Sequence, residues 1–350
     1  MAVYDLTTIY GDVPFSEAWK PDEITYPKFD QQKDVFEGII GLLDEALSQF
    51  DETSVFKIGD YDLIYQGNIA KWKRLAKSVK LRTLMTMVDK DPTKAAAIGQ
   101  IITEGTAGVI NSSADNAKVA FQNVTGKKNP KFAVSEQYNA GTSFFFGSKY
   151  VVDFMRNLND PRLPVFFAKP EAADNYYGIQ PGTDGDDQHD VRISSTFESA
   201  DAPEVMFSYQ EELFYEAEIQ ARGIGVPVNL TAANQLYRLA VEQSCIYYRV
   251  DATTAKTFSA GLPDLPAVSP EKLINYHHWV DKMDRGVDAF TQWRRSGPEG
   301  NEVPALTLPV GAPAGPLFRR YEYPVTTEIS PNPNAPKITP KFYEKMWFDL

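Results

Sequence analysis

The chain contains 350 residues, of which 43% are hydrophobic and 23% are charged, as is usual for globular proteins. Its 35 lysines and arginines are outnumbered by 47 aspartates and glutamates, so the formal net charge is −12. This charge disfavours contact with nucleic-acid phosphates. The single cysteine, Cys245, excludes an internal disulfide and a cysteine cluster for a metal, and we interpret it as a small buried side chain.

The first ten residues carry no secretory signal, because a basic segment followed by an apolar one is missing. Val3, Leu6 and Ile9 instead follow helical spacing up to a break at residues 11–14. Since a domain rarely begins at the end of a helix, we expect that a natural N-terminal part of the protein is absent from this chain.

Apolar residues recur at spacings of three and four in eight later segments, and this pattern predicts amphipathic helices. Asp30 and Asn68 are the predicted N-caps of the first two. We interpret the basic residues of the second helix, Arg82 among them, as a solvated face. The predicted helices span residues 30–50, 68–84, 91–104, 149–158, 207–221, 231–248, 269–279 and 287–295.

Three regions lack a sustained period: residues 111–148, residues 168–204 and the Pro-rich tail from Gly297. We expect loops with short elements in the first two and an extended chain in the third. The predicted fold class is therefore mainly α, with long irregular loops and few short strands. The spacing of Trp72, Leu75, Ala76 and Val79 resembles the first helix of a tetratricopeptide unit.

Common catalytic motifs are absent from the sequence, which contains no HExxH, GxSxG, GxGxxG or P-loop. His277 and His278 are adjacent on a predicted helix and point in different directions, so we interpret both as surface or packing residues. The acidic run at 184–190 lacks the final glutamate of an EF-hand, which favours a solvated loop over a calcium site. We predict no catalytic residue, no metal site and no cofactor.

Charged side chains near helix ends are the other candidates for chemistry. The predicted helix at 207–221 carries four glutamates, for which a solvated or salt-bridged face is favoured over acid–base catalysis; they are Glu211, Glu212, Glu216 and Glu218. We interpret Asp160 with Arg162, and Arg294 with Arg295, as structural groups that satisfy loop carbonyls and carboxylates.

Aromatic side chains in the irregular regions are the best candidates for ligand contact, because loops often carry recognition and flat rings stack on sugar rings. The alternative is that they fill gaps beneath the loops. Phe145 and Phe146 belong to this group. The residues that we select as ligand-binding candidates are Tyr138, Phe144, Tyr150, Tyr176 and Tyr177.

Seven segments, in order, resemble the SusD/RagB family of surface glycan-binding lipoproteins. The first three are LTTIYGDVPFSEA from Leu6, YPKFD with the following helix through Leu47, and DLIYQGNIAKWKRLAKSVKLR from Asp62. The next two are LNDPRL from Leu158 and SYQEELFYEAEIQARG from Ser208. The last two are FTQWRRSGP from Phe290 and a closing pattern of RYEYP, NPN and MWFD that begins at Arg320.

The resemblance implies a tetratricopeptide-like helical scaffold that captures oligosaccharides at the outer face of the bacterial outer membrane. It also implies a SusC-like TonB-dependent transporter as partner. The helices between Asp30 and Gly105 are the expected docking face, because helical repeats present broad, rigid surfaces. The sequence departs from the family pattern at Phe348, where a second Trp is common. It also lacks the family's signal peptide, lipobox cysteine and first helices, so this chain would be without its lipid anchor.

The resulting domain plan is a single, N-terminally truncated domain over residues 1–350. Helices occupy 1–110, a loop-rich candidate ligand region 111–204, further helices 205–296 and an extended tail 297–350. Two other functions stay open from the sequence: a tetratricopeptide-like scaffold for proteins or peptides, and a helical glycoside hydrolase with an unrecognised carboxylate pair.

Overall fold

The computed structural model describes residues 1–56, 58–324 and 330–350, and in these residues the fold is mainly helical, as predicted. The helices are α1 (Ala2–Tyr10), α2 (Gln32–Gln49), α3 (Ile69–Met87), α4 (Ala95–Thr103), α5 (Pro130–Asn139), α6 (Lys149–Asn157), α7 (Leu163–Phe166), α8 (Tyr209–Arg222), α9 (Leu230–Tyr247), α10 (Ala252–Gly261), α11 (Glu271–Asp281) and α12 (Gly286–Arg295). The strands are β1 (Ala117–Val119), β2 (Phe167–Ala168), β3 (Arg192–Ile193) and β4 (Glu204–Phe207). β1 pairs antiparallel with β4, and β2 with β3.

The eight helices predicted from periodicity are all present, with ends that shift by a few residues. The side chain of Asn68 caps α3 as predicted, accepting a hydrogen bond from the backbone N–H of Lys71 at 3.1 Å. Asp30 was wrongly predicted as a cap, because α2 begins at Gln32. The Asp30 carboxylate instead accepts bonds from the backbone N–H groups of Phe15 and Ser16, which fixes the preceding loop.

Three helices were not predicted as such: the single turn α7, and α5 and α10, which begin at capping residues. α5 lies in a region expected to be loop with short elements, and its sequence has little amphipathic pattern, but Asn129 caps it and Pro130 occupies its first turn. α10 is capped by Asp251, whose carboxylate accepts from the backbone N–H groups of Thr253 and Thr254 at 3.0 Å. In both cases local capping defines a helix that periodicity does not reveal.

The apolar core has four parts. One joins α3 and α4 to α8 and to the β1–β4 pair, and a second joins α8, α9, α10 and α11. A third lies between α6, α7, β2 and the end of α9, and the fourth packs α1 and α2 against the C-terminal residues Met346 and Phe348. α8 is therefore a central helix, with other elements packed on opposite sides of it.

This central position explains why the α8 carboxylates are buried, so that the expectation of a solvated face is wrong and the salt-bridged alternative holds for Glu211. The Glu211 carboxylate accepts hydrogen bonds from Arg82 at 2.9 Å, Lys282 at 2.7 Å and Arg285 at 2.5 Å. Arg82, expected on a solvated basic face, is buried with it. These cations hold the pKa of Glu211 well below its usual range despite its burial.

The other three α8 glutamates are buried as well. Glu218 is ion-paired, and its two carboxylate oxygens lie 3.0 and 2.9 Å from Nη2 of Arg295. Within the described residues, no cation forms an ion pair with Glu212 or Glu216. Burial raises the pKa of Glu216 to about 7 and that of Glu212 well above its ordinary value. Burying these two carboxyl groups without a paired cation lowers the free energy of unfolding, and the surrounding apolar core offsets this loss.

Several structural interpretations of polar residues are confirmed. Arg162 and Asp160 form a fully buried pair with an N–O distance of 2.6 Å. His277 and His278 are packing residues, and burial lowers the pKa of His277 to about 3. Cys245 is buried, which raises the pKa of its thiol to about 12. Across the described residues, none of the helices is at once long and apolar enough to cross a membrane.

Candidate functional site

A cavity of about 900 Å³ opens where the irregular middle region meets the ends of α9 and α11. Its size falls in the upper part of the range of small-molecule binding sites. Its wall includes residues of the loops before α6 and β4, the start of α5, and the C-terminal turns of α9 and α11. Six aromatic residues line it: Phe145, Phe146, Phe197, Tyr247, Tyr248 and Trp279.

α9 and α11 position the deep side of the cavity. Gln243, Ile246 and Tyr247 occupy positions i, i+3 and i+4 of α9, so they share one helical face. Trp279 near the end of α11 and Met283 one turn later line the cavity in the same way. Because both helices are anchored in the core, these side chains stand on a rigid support.

The opposite wall is a loop held by strand-like pairing. Phe146 forms an antiparallel bridge with Arg192 of β3, and the backbone N–H of Gly147 donates to the carbonyl of Val191 at 2.8 Å. The Arg192 guanidinium lies 3.9 Å from the Phe146 ring centroid and donates to the carbonyl of Ser143 at 2.9 Å. These contacts orient Phe145 and Phe146, of which Phe145 remains 68% exposed.

Charged groups of both signs surround the aromatic lining. Asp284 lies at the floor, where burial raises the pKa of its carboxyl and Tyr248 donates a hydrogen bond to it at 3.1 Å. At the rim, the Ser199 hydroxyl donates to Asp201 at 2.8 Å and holds the pKa of that carboxyl below its ordinary value. The site therefore combines apolar faces with a polar edge, an arrangement suited to a ligand that is amphipathic.

The floor is connected to the buried ions of the helical core. Arg285, which follows Asp284, lies 3.7 Å from its carboxylate through Nε and donates to Glu211 of α8 through Nη1. Lys131 at the start of α5 closes the other side, donating to the carbonyl of Asp284 at 2.9 Å. The floor is thus positioned by ion pairs rather than by loop packing alone.

None of the five ligand-binding candidates selected from the sequence lines this cavity, whereas Phe145 and Phe146 of the same aromatic group do. Tyr138 on α5 and Phe144 are exposed. Tyr150 on α6 exchanges hydrogen bonds with Thr307 of the tail.

The remaining two candidates, Tyr176 and Tyr177, lie in the loop between β2 and β3. Tyr176 is half-buried against the third part of the core. The Tyr177 ring stacks on His189 with centroids 4.3 Å apart, and its hydroxyl donates to Asp174 at 2.8 Å. The acidic run beside it is mostly exposed, as expected, with Asp187 paired to Arg192 at 2.7 Å.

Sequence reasoning missed Tyr247, Trp279 and Phe197. The two helical residues stand at periodic positions, which are ordinarily taken as core. A usable signal is the position of these two residues in the last turns of their helices, each of which is followed by an irregular segment. At such an end, the helical face that is buried along the rest of the helix is no longer covered by a neighbouring helix and lines a cavity.

The family model described as "SusD-like_2: Starch-binding associating with outer membrane" matches residues 1–324. No curated protein matches the chain. Among solved structures, a protein described as chitin-binding superposes with a TM-score of 0.79 at 24% identity, covering 99% of this chain and 78% of its own.

Two SusD homologues give similar results. The one from Bacteroides fragilis has a TM-score of 0.76 at 24% identity, with 99% of this chain and 81% of its own covered. The one from Bacteroides uniformis has a TM-score of 0.78 at 22% identity, with 100% and 79% covered. At these identities the structural matches establish the fold, which is the helical SusD-like fold.

Proposed function

The chain belongs to the SusD-like family, and from this premise we propose that it is a non-catalytic binding protein that captures oligosaccharides in the aromatic cavity. The observation that carries the proposal is the cavity itself, because it presents six aromatic residues beside charged and polar groups in a volume of about 900 Å³. Aromatic faces stack on the apolar faces of sugar rings, while polar groups at the edge bind hydroxyls. The chitin-binding description of one structural neighbour supports the same ligand class.

The experiment is a calorimetric titration of the purified chain with a panel of oligosaccharides, each sample then being analysed for cleavage products. We expect dissociation constants in the micromolar to millimolar range, as stacking and a few hydrogen bonds provide about 4–8 kcal/mol, and no products. Absence of binding across the panel would contradict the proposal. Reproducible cleavage abolished by replacing one carboxylate pair would instead make the protein a glycoside hydrolase.

The proposal extends to delivery: the full-length protein, lipid-anchored at the outer face of the outer membrane, hands its ligand to a SusC-like TonB-dependent transporter. A receptor of modest affinity helps uptake when its released ligand is already near the pore, because proximity raises the effective concentration. The family description, which associates these proteins with the outer membrane, supports the location.

An exposed apolar segment between α2 and α3 supports the docking face expected at residues 30–105. Its large side chains are between 60% and 92% exposed, and they are Val55, Phe56, Ile58, Tyr61 and Leu63. Clustered exposed apolar groups of this kind mark protein interfaces. The segment belongs to the same region as the helical pair α2–α3 and lies outside the cavity lining, so docking here would leave the ligand site accessible.

The docking experiment uses the full-length protein purified from its native membrane in mild detergent. The double variant Phe56→Glu with Tyr61→Glu should lose a co-purifying barrel protein that the wild type retains. As control, Val268→Glu with Ile338→Glu changes two side chains that are also more than 80% exposed but lie elsewhere. Recovery of the wild type solely as a free monomer would contradict delivery to a transporter. Retention of the barrel protein by both double variants would show that the docking face lies elsewhere on the molecule.

A further inference from the structure

The cavity wall is apolar over much of its extent, which restricts the chemistry of its ligand. In addition to the aromatic rings, aliphatic and thioether side chains contribute to it: Val151, Val165, Ile193, Ile246 and Met283. A sugar hydroxyl that is buried against such a wall without a hydrogen-bond partner is unfavourable. The ligand therefore has to match apolar surface as well as hydroxyl-binding groups.

Several polar side chains of the wall are already committed to the protein. The Asn129 side chain donates to the carbonyl of Ala202 and accepts from the backbone of Lys131, both at 2.8 Å. Glu198 accepts from the hydroxyl of Ser135 at 2.6 Å. These bonds occupy two of the wall's polar side chains, so the groups that remain for sugar hydroxyls, such as Lys118 and Thr196, are fewer than the lining alone indicates.

Gln243 is the uncommitted amide on the helical wall of the cavity. Its side-chain amide lines the cavity, is half-buried, and makes no hydrogen bond to any residue in the described part of the chain. It lies one turn before Tyr247 on the same face of α9, so a planar ring and a carboxamide are presented side by side. A carboxamide both donates and accepts, and it pairs naturally with another amide.

We propose that the preferred ligands are oligosaccharides that carry acetamido groups, an inference that rests on the proposed glycan-binding function. An acetamido substituent offers an N–H and a carbonyl to Gln243 and a methyl group to the apolar wall. The hydroxyl at the same position of an unsubstituted sugar offers no apolar surface. The cavity thus selects acetylated amino sugars over plain glucans by burying their methyl groups.

The test compares tetra-N-acetylchitotetraose, here called chitotetraose, with cellotetraose by calorimetry, because the two have the same linkage and length and differ only in the acetamido groups. Each buried methyl group is worth about fourfold in affinity, so we expect chitotetraose to bind roughly tenfold more tightly or better. Equal affinities, or tighter binding of cellotetraose, would overturn this inference while leaving glycan binding intact. Binding of neither tetrasaccharide nor any other glycan in the panel would overturn the proposed function itself.

A pair of variants on one helix tests the role of Gln243. Gln243→Leu should reduce the ratio of the two affinities at least threefold, whereas Gln235→Leu, an exposed position two turns earlier on α9, should leave it unchanged. Gln243→Glu keeps the shape of the side chain, but its carboxylate cannot donate a hydrogen bond, so it should lower the ratio as Gln243→Leu does. It replaces Gln243→Leu in the test if the leucine variant is unstable. An unchanged ratio in a folded Gln243 variant would overturn the assignment.

Discussion

The helical centre and the cavity differ in which side chains are buried and which are exposed. Around Glu211, cations from α3 and the region after α11 are buried completely and paired, so the charges determine how the helices fit together. Around the cavity, rings such as Phe145 are left exposed although the elements behind them are fixed. The comparison teaches that buried polar groups position the helices of this fold, whereas the exposed apolar groups are the ones that we propose for ligand recognition.

The largest expected effect comes from the helical centre. Glu211→Gln leaves Arg82, Lys282 and Arg285 buried without their shared carboxylate, and we expect a loss of about 3–5 kcal/mol in the free energy of unfolding. Urea denaturation followed by circular dichroism measures it. Glu45→Gln on the exposed face of α2 is the matched control, with a change within about 0.5 kcal/mol. A loss below about 1 kcal/mol for Glu211→Gln would show that the ion cluster does not hold the helices.

The next effect concerns pH and the buried pair Glu212 and Glu216. Because burial raises the pKa of Glu216 to about 7, the folded state binds more protons than the unfolded state between about pH 4.5 and 7. The contribution of this group to stability is therefore complete at low pH and is lost as pH rises through that window, by on the order of 1–3 kcal/mol.

The measurement for this pH effect is the difference in unfolding free energy between the wild type and Glu216→Gln at several pH values. Taking the difference cancels the titration of other groups. We expect the difference to move in favour of the variant as pH rises from 4.5 to 7. A difference that is flat over this range would mean that the pKa of Glu216 is the same in the folded and the unfolded protein, and would contradict the prediction.

The sequence predicts the helices better than the site, and the reason is physical. Helix periodicity reports which face is buried, so α2, α3, α8, α9, α11 and α12 could be placed within a few residues. Periodicity does not say whether a buried face meets another helix or an open cavity. Tyr247 and Trp279 were for this reason indistinguishable from core residues. Of the aromatic residues that line the cavity, only Phe145 and Phe146 belonged to the group of loop aromatics considered for ligand contact, and neither was among the five selected candidates.

The same limit explains the error about the α8 carboxylates. A run of glutamates on one helix is normally solvated, and its partners here come from positions that are 129 and 71 residues away along the chain, at Arg82 and Lys282. Such long-range pairs leave no local pattern. The capping signals of α5 and α10 were in contrast local, and a search for Asn-Pro and Asp-x-Thr starts would have found both.

At the cavity, the effect of single changes is smaller. Phe145→Ala removes one exposed ring, and we expect about a fivefold loss of oligosaccharide affinity with almost no change in melting temperature. Calorimetry and thermal unfolding measure the two quantities. Trp19→Ala is the control, since Trp19 is 71% exposed and does not line the cavity. Equal affinities of wild type and Phe145→Ala would remove this ring from the binding surface.

The smallest effect is expected at the candidates predicted from the sequence. The backbone of Tyr177 forms a parallel bridge with Asp190, which lies just before β3, and Arg192 of β3 forms the bridge with Phe146. We therefore propose that the Tyr177 ring contacts the outer end of long ligands. Tyr177→Ala should weaken the binding of a hexasaccharide by about twofold, the lower end of an exposed ring contact, and leave a trisaccharide unaffected. A larger loss for the trisaccharide would move the main site from the cavity to the Tyr176–Tyr177 surface.

The most direct measurement is a crystal structure of the chain with the oligosaccharide that binds most tightly in the panel. We expect sugar rings inside the cavity, against Tyr247 and Trp279 of the helical wall and Phe145 of the loop wall. Density for the ligand at another surface, with the cavity filled by solvent alone, would contradict the assignment of this cavity as the binding site.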